Sequence, residues 1–395
     1  MIYPLKNPIK NFAWGSRQAL SEHFNIANPN HQPQAELWMG AHPTASSVIS
    51  ISGEEVALSS AIETDPQFWL GQRTLSSGHT LPFLMKLLAA ETPLSIQVHP
   101  SKAAAELGFN KENQLGIAID APHRNYKDAN HKPELVYALT PYLAMNGFRV
   151  FEQIVEYFDL VNLESIRSLF APFKRSPSSA TLAHFFSGLL AMQAEERARA
   201  IAELIESIKS LSVSQNIDKT WALVTRFHSL YPSDIGIFSP LFLNVIELQP
   251  GEAMFLYAET PHAYIHGLGV EVMANSDNVL RAGLTPKHID VNELVSNTRF
   301  EPISYEHLRM KPTSKKGRAV YPIPVDDFKF DLLHPSDGLV LAVSSAEVLL
   351  VLTDSVTIRV EDESLVIQKG ESVALPAAVG EYQLEGKGAV ARAYC

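Results

Sequence analysis

Pro93-Leu94-Ser95-Ile96-Gln97-Val98-His99-Pro100 is the stretch on which the reading of this 395-residue chain turns. Apolar and polar residues alternate in it, and the two-residue period of a β-strand predicts Leu94, Ile96 and Val98 on one face with Ser95, Gln97 and His99 on the other. An apolar face packs into a sheet. A face carrying an amide and an imidazole can point into a barrel or cleft and present two metal ligands side by side, although the same pattern also suits a solvated face.

The cysteine count narrows the chemistry. The sole cysteine is the last residue, Cys395, so no intrachain disulfide can form and thiolate zinc sites are excluded. A bound metal has to be held by histidines and carboxylates. Tyr126-Lys127-Asp128-Ala129-Asn130-His131-Lys132-Pro133-Glu134-Leu135 gathers ionisable side chains and a histidine just before an apolar strand. Pro133 imposes extended geometry on Lys132, so Lys132 and Glu134 are expected to face the same way. As an exposed turn, such a pair would contribute little. In His262-Ala263-Tyr264-Ile265-His266-Gly267, His262 follows a strand and a proline, as a residue at a strand mouth does. Glu271 comes next, and then the polar run Asn275-Ser276-Asp277-Asn278 ahead of Arg281 and Lys287.

Around these segments the chain changes texture twice. Up to about Arg149 short β-type runs alternate with turn residues, for example Ser47 to Gly53 and Leu135 to Leu139. From about Val150 to Pro232 the period becomes helical: Leu182, Phe185, Phe186, Leu189 and Leu190 fall on one helix face, as do Ile201, Leu204, Ile205, Ile208 and Leu211. Arg175-Ser176-Pro177-Ser178-Ser179 reads as a loop ending in an N-cap. Strand character resumes near Leu241, and the basic segment Lys311 to Arg318 is expected to cross towards a C-terminal part. There Gln368-Lys369-Gly370-Glu371-Ser372-Val373-Ala374-Leu375-Pro376 aligns without gaps on Gln249-Pro250-Gly251-Glu252-Ala253-Met254-Phe255-Leu256-Tyr257, a turn followed by a buried strand in both. The offset puts Glu381 where the first copy has His262, so the second copy is expected to be structural.

With 46% hydrophobic residues the chain can bury a large core. A formal net charge of -11 disfavours nucleic acid and anionic membranes as partners, so an anionic substrate needs a local cationic pocket. The start, Met1 to Pro8, lacks the apolar run of a signal peptide, and the apolar stretch Leu339 to Leu352 is interrupted by Ser344, Ser345 and Glu347, which favours buried strands over a membrane span. A cytoplasmic location is expected.

The runs Tyr126 to Glu134 and His262 to Lys287 resemble the two signature motifs of the type I mannose-6-phosphate isomerases. The likeness extends to Leu94–Pro100, Trp14-Gly15 and Tyr231-Pro232-Ser233-Asp234-Ile235-Gly236, nearly the whole chain. The resemblance implies a mainly β fold of two cupin-type, jelly-roll barrels plus an α-helical domain. The expected boundaries are a catalytic cupin domain at 1–149 and 236–315, a helical insertion at 150–235 and a non-catalytic cupin-like barrel at 316–395. It further implies one zinc ion per chain on Gln97, His99, Glu134 and His262, and an essential arginine at Arg281. Trp14, Lys86, Ser95, His131, Lys132, Glu271, Asp277 and Lys287 are the other implied pocket residues. Ordinary cupins place a Glu a few residues after a His-x-His pair, so Gln97 and the distant Glu134 weaken an iron-cupin assignment.

The implied reaction moves a proton between C1 and C2 of a phosphorylated sugar, interconverting mannose 6-phosphate and fructose 6-phosphate through an enediol(ate), in service of mannose metabolism and GDP-mannose supply. It requires a base near both carbons and stabilisation of the developing oxyanion. Lys132, Glu271, Asp277 and His131 are candidates for the base, with Lys132 and Asp277 ahead. Arg281, Lys287 and the Ser95 hydroxyl are the expected phosphate clamp, and a monomer is expected. A sugar-sensing cupin would keep the metal without the base and arginine, and a cupin dioxygenase would need redox-active iron.

Overall fold

The strands that frame the site are β1 (Glu36–His42), β2 (Phe83–Ala90), β3 (Ile96–Val98), β4 (Glu134–Ala138), β5 (Tyr142–Phe148), β6 (Leu243–Leu248), β7 (Ala253–Leu256), β8 (His262–Ala274) and β9 (Leu280–Gly283). They are seen in a computed structural model that describes residues 1–75, 78–211 and 219–395. The long strand β8 organises them. Its first residues, from His262 to His266, pair with β5, and His262 also pairs with Gln97 of β3. From Gly267 onwards it pairs with β2, and from Gly269 with β4 as well. The switch occurs at Gly267, whose φ of 128° is open to glycine and whose added Cβ would stand 2.8 Å from the Pro141 carbonyl oxygen. One strand thereby serves two facing sheets, β6-β5-β8-β3-β9 and β7-β4-β8-β2-β1.

Each sheet has an apolar layer on both sides, which is why β1, β2 and β4 are buried along their whole length and show no alternation in sequence. The inner faces meet in a cluster of Leu88, Val136, Ala138, Tyr142, Ala144 and Tyr264. The outer face of the β3-containing sheet, with Ile96, Val98, Ala263, Leu280 and Ala282, packs on the helical insertion. That insertion comprises α1 (Phe151–Val161), α2 (Arg167–Arg175), α3 (Ser179–Leu190), α4 (Ala194–Leu211) and α5 (Lys219–Leu230). Residues 212–218 of the expected insertion lie outside the described residues. Leu182, Phe185, Phe186 and Leu189 are the buried residues of α3, and Ser178 caps it in a capping box with Thr181. The spacing and the cap signal both read correctly. Leu94 departs from the expectation: the strand begins only at Ile96, and Leu94 packs inside the sandwich near Trp14 instead of sharing the face of Ile96 and Val98.

The outer face of the other sheet, with Leu37, Met85, Leu87 and Leu135, packs against a C-terminal unit through Phe328, Phe330, Val348 and Leu350. This unit is again two facing sheets, of seven and four strands, around Leu333, Leu349, Val351, Ile358 and Leu384. Both units are jelly-roll-type sandwiches, and no sheet closes into a ring among the described residues. The segment Lys311 to Arg318 crosses to the C-terminal unit as expected, leaving the first unit after Arg309 and Met310, and it does so as part of a hairpin. Thr313–Lys315 pairs with Arg318–Val320 in a hairpin on the edge of the seven-stranded sheet, so the boundary expected between 315 and 316 falls in its turn. The repeat is real: Gly251 and Gly370 have φ of 94° and 87°, and Glu252 and Glu371 each accept from the backbone N–H three residues back, at 2.8 Å in both copies.

Candidate metal centre

Cross-strand neighbours in an antiparallel ladder project from the same face. β3 runs between β8 and β9, and its Gln97 is the partner of His262 on one side and of Arg281 on the other. Three chemically distinct side chains thus form one row on one sheet. His99 follows at the end of β3. Glu134 enters from the opposite sheet, paired through β4 with Met273.

His99, Glu134 and His262 are all buried, and one ligand atom from each lies within 4.8 Å of the others. His99 Nδ1 stands 2.7 Å from the Asn278 carbonyl and His262 Nδ1 2.9 Å from the Thr260 carbonyl. A carbonyl oxygen only accepts, so both Nδ1 atoms carry the proton and both Nε2 atoms present lone pairs. Those lone pairs face a carboxylate: His99 Nε2 is 3.3 Å from Glu134 Oε1 and His262 Nε2 is 3.5 Å from Oε2. His99 Nε2 is buried without a hydrogen-bond partner. Converging lone pairs and an orphaned buried nitrogen fit a small hard-to-borderline cation, and the set of two imidazoles and a carboxylate suits zinc. Gln97 donates its amide N–H to Ser95 Oγ at 3.4 Å, which leaves Oε1 as the atom it could offer a metal. Burial first, and the Lys132 ammonium second, hold His99 down to about 4, so it stays a neutral imidazole at physiological pH, able to offer a metal its lone pair.

The other oxygen contacts of Glu134 fix its orientation. Lys132 Nζ lies 2.8 Å from Oε1, and the Tyr264 hydroxyl donates to Oε2 at 3.0 Å. Burial acts to raise the Glu134 carboxyl, but Lys132, His99 and His262 together outweigh it and hold the group well below the usual carboxylate range. The small cavity beside these groups is lined by Gln97, Lys132, Glu134, His262, Lys86 and Glu271 among others. Lys86 is a cross-strand partner of both Glu271 and Trp38. Its Nζ is 2.8 Å from Glu271 and 3.7 Å from Glu36, and these carboxylates overcome the cost of burial and hold the ammonium above its ordinary range.

Arg281 has neither an ion pair nor a side-chain hydrogen bond among the described residues, and its partial burial lowers its pKa. Lys287 is exposed, and it too is lowered, by burial and then by the positive charges of Arg281 and Lys127. In a chain of net charge -11, Arg281 and Lys127 thus lie near enough to Lys287 for their charges to act on it. Asp277 is 39% exposed, with its Oδ1 3.7 Å from Nε2 of the buried His42. Trp14 is half-buried, stacks on Phe12 and packs with Leu94 against the inner cluster. His131 is not turned into this cavity: its Nε2 lies 2.9 Å from Asp327 of the C-terminal unit.

Asn278 and Asp128 lie in the polar runs noted in the sequence, but their positioning roles do not follow from local spacing. Asn278 holds His99 through its carbonyl, while its side chain accepts from Lys127 N–H and donates to the Asp128 and Asn130 carbonyls. Asp128 in turn accepts from Asp277 N–H and Ser276 Oγ. Glu36, Trp38 and His42 lie on a strand whose uninterrupted burial hides its polar face. Tyr264 alone was open to discovery, because the two-residue period sets it on the face of His262.

Comparison with known proteins gives one family throughout. The description "Phosphomannose isomerase type I, catalytic domain" matches residues 2–151, its helical insertion domain matches 160–243, and "Mannose-6-phosphate isomerase, cupin domain" matches 318–395. The chain is 47% identical to the mannose-6-phosphate isomerase of Escherichia coli over 392 residues, covering 99% of this chain and 98% of the relative. It is 35% identical to the Homo sapiens enzyme of the same name, covering 90% and 88%. A crystal structure of a mutant phosphomannose isomerase from Salmonella typhimurium superposes with a TM-score of 0.95 at 47% identity, covering 100% of this chain and 99% of that one. A zinc-bound mannose 6-phosphate isomerase gives 0.93 at the same identity and coverage.

Proposed function

The chain belongs to the type I phosphomannose isomerase family, and on that premise we propose that it is a zinc-dependent aldose–ketose isomerase interconverting mannose 6-phosphate and fructose 6-phosphate. The observation that carries this reading is the convergence of His99, Glu134 and His262 next to the row in which Gln97 lies between His262 and Arg281. Gln97, His99, Glu134 and His262 would hold the zinc, one ion per chain. When bound, that ion supplies Lewis-acid polarisation of a substrate oxygen.

The phosphate is drawn to Arg281 with Lys287 and Lys127, whose guanidinium and ammonium groups have no ion-pair partner among the described residues and so bind it without first breaking a pair. Ser95, Trp14 and the Lys86–Glu271 pair shape the pocket around the sugar. Proton transfer between C1 and C2 needs a base not already committed as a cation. Lys132 is engaged with Glu134 at 2.8 Å, so its role is to orient that residue, while Asp277 offers an accessible carboxylate whose backbone is pinned by Asp128. Asp277 is therefore assigned the proton transfer, through an enediol(ate), and Arg281 stabilises the charge that develops on oxygen. His131 supports the neighbouring Lys132 by anchoring its segment on Asp327.

The proposed setting is the cytoplasm, with the chain working as a monomer in mannose metabolism and the supply of GDP-mannose. No helix among the described residues is long and apolar enough to cross a membrane. A coupled assay for fructose 6-phosphate formed from mannose 6-phosphate, with and without chelator, tests the reading; no turnover by the zinc-loaded chain would sink it.

A further inference from the structure

We propose that Asp234, at the exit of the helical insertion, is a positioning residue for Arg281. The inference rests on the role given to Arg281 above. The segment Tyr231 to Gly236 does not line the cavity beside the metal ligands, yet it is bonded to the chain just before β3 and just after β9, the two short strands that carry the site. The Tyr231 hydroxyl donates to the Pro93 carbonyl at 3.3 Å, just ahead of β3. Asp234 caps the following 3-10 turn, Ile235–Phe238, by accepting Gly236 N–H on Oδ1 at 2.7 Å. Its second oxygen accepts Thr285 N–H at 3.0 Å, two residues beyond the end of β9.

The backbone geometry there shows why a tether is needed. The pairing of β3 with β9 shifts register between Arg281 and Gly283, a bulge of the kind that re-aims a side chain. Gly283 has a φ of 142°, and Leu284 sits in the left-handed region at 54°, a conformation strained for a residue with a Cβ. The insertion presses directly on this bend: a Cβ on Gly283 would stand 2.7 Å from Gly236 Cα, and one on Gly236 would stand 2.8 Å from Leu284 N. Arg281 has no side-chain partner of its own among the described residues, so the path of its backbone decides where the guanidinium projects. A four-residue strand with a bulge and a strained exit cannot hold that path alone. Asp234 locks it from outside the pocket with a single carboxylate shared between two N–H groups.

Asp234→Asn keeps the volume but turns a donor towards one of the two N–H groups. Asp234→Ser retains a cap for Gly236 and is too short for Thr285, so it isolates the tether. Each is to be measured alone and combined with Arg281→Lys, reading kcat, KM, zinc content and melting temperature. The expected result is a fall in kcat of about tenfold or more in either single variant with KM and zinc content little changed. In the Arg281→Lys background the same substitution should cost less than about twofold, because residues acting through one another are not additive. Wild-type turnover, full additivity with Arg281→Lys, or failure of both variants to fold would overturn the proposal in favour of a purely structural tether. Wild-type kinetics of Arg281→Lys alone would instead remove Arg281 from the chemistry, which separates that failure from this one.

Discussion

Arg281 stands directly across from Gln97 in the antiparallel ladder, on the side away from His262. The cationic group is thus one strand spacing from a proposed metal ligand, close enough for both to act on one sugar. A guanidinium offers two parallel donors where an ammonium offers a point charge. Arg281→Lys should therefore lose about a hundredfold or more in turnover while zinc content stays normal, as when one oxyanion donor is removed. Steady-state kinetics beside metal analysis check this; a raised KM with intact turnover would confine Arg281 to phosphate binding.

Chelation should abolish activity, and added zinc should restore it. His99→Ala or His262→Ala should lose the metal, because one of four ligands is gone. The pH dependence follows from His99, which burial and Lys132 depress from its ordinary 6.5 to about 4. An imidazole depressed by folding contributes stability that is complete above the unfolded value and is lost as pH falls through the folded one. Metal retention and apo-protein stability should therefore both decline between about pH 6.5 and pH 4. Zinc occupancy across that range, with melting temperatures of the chelated chain, measures it; retention unchanged at pH 4 would count against His99 as a ligand.

Asp277→Asn should keep the fold and the metal, since Asp128 contacts the Asp277 backbone and not its carboxylate. Turnover should drop by about a hundredfold or more, the usual contribution of a general base. Exchange of the C2 proton with solvent should fall in parallel. Normal exchange would transfer the base to another group.

The C-terminal unit is predicted to stabilise without taking part in chemistry. Where the first sandwich holds its candidate ligands, this one buries Arg392 between Glu347 and Asp331, with Tyr382 donating to Glu347 at 3.0 Å. Arg392→Ala leaves the buried Glu347 without its ion-pair partner, while Asp331 keeps Arg318, and should cost about 3–5 kcal/mol in denaturant unfolding with kcat unchanged under native conditions. Glu381→Gln, on an exposed strand position, should change neither.

The sequence by itself determined which residue types were available and where the chain changes period. Cys395 at the terminus excluded thiolates, the three-and-four spacing of Leu182, Phe185 and Phe186 announced a helix, and the turn of Gln249 to Glu252 announced its own copy at Gln368. These are local properties, fixed by neighbours a few residues away. Only the tertiary structure decided that Glu134 meets His99 from the opposite sheet, that Asn278 selects the tautomer of His99, and that His131 turns to Asp327 while Lys132 turns to Glu134. Such pairings join positions up to about two hundred residues apart, and they depend on where β8 bends at Gly267 and which strands flank β3. The strand β1 shows the limit most plainly: with both faces buried its pattern is uniform, and nothing local reveals that Glu36, Trp38 and His42 turn inwards.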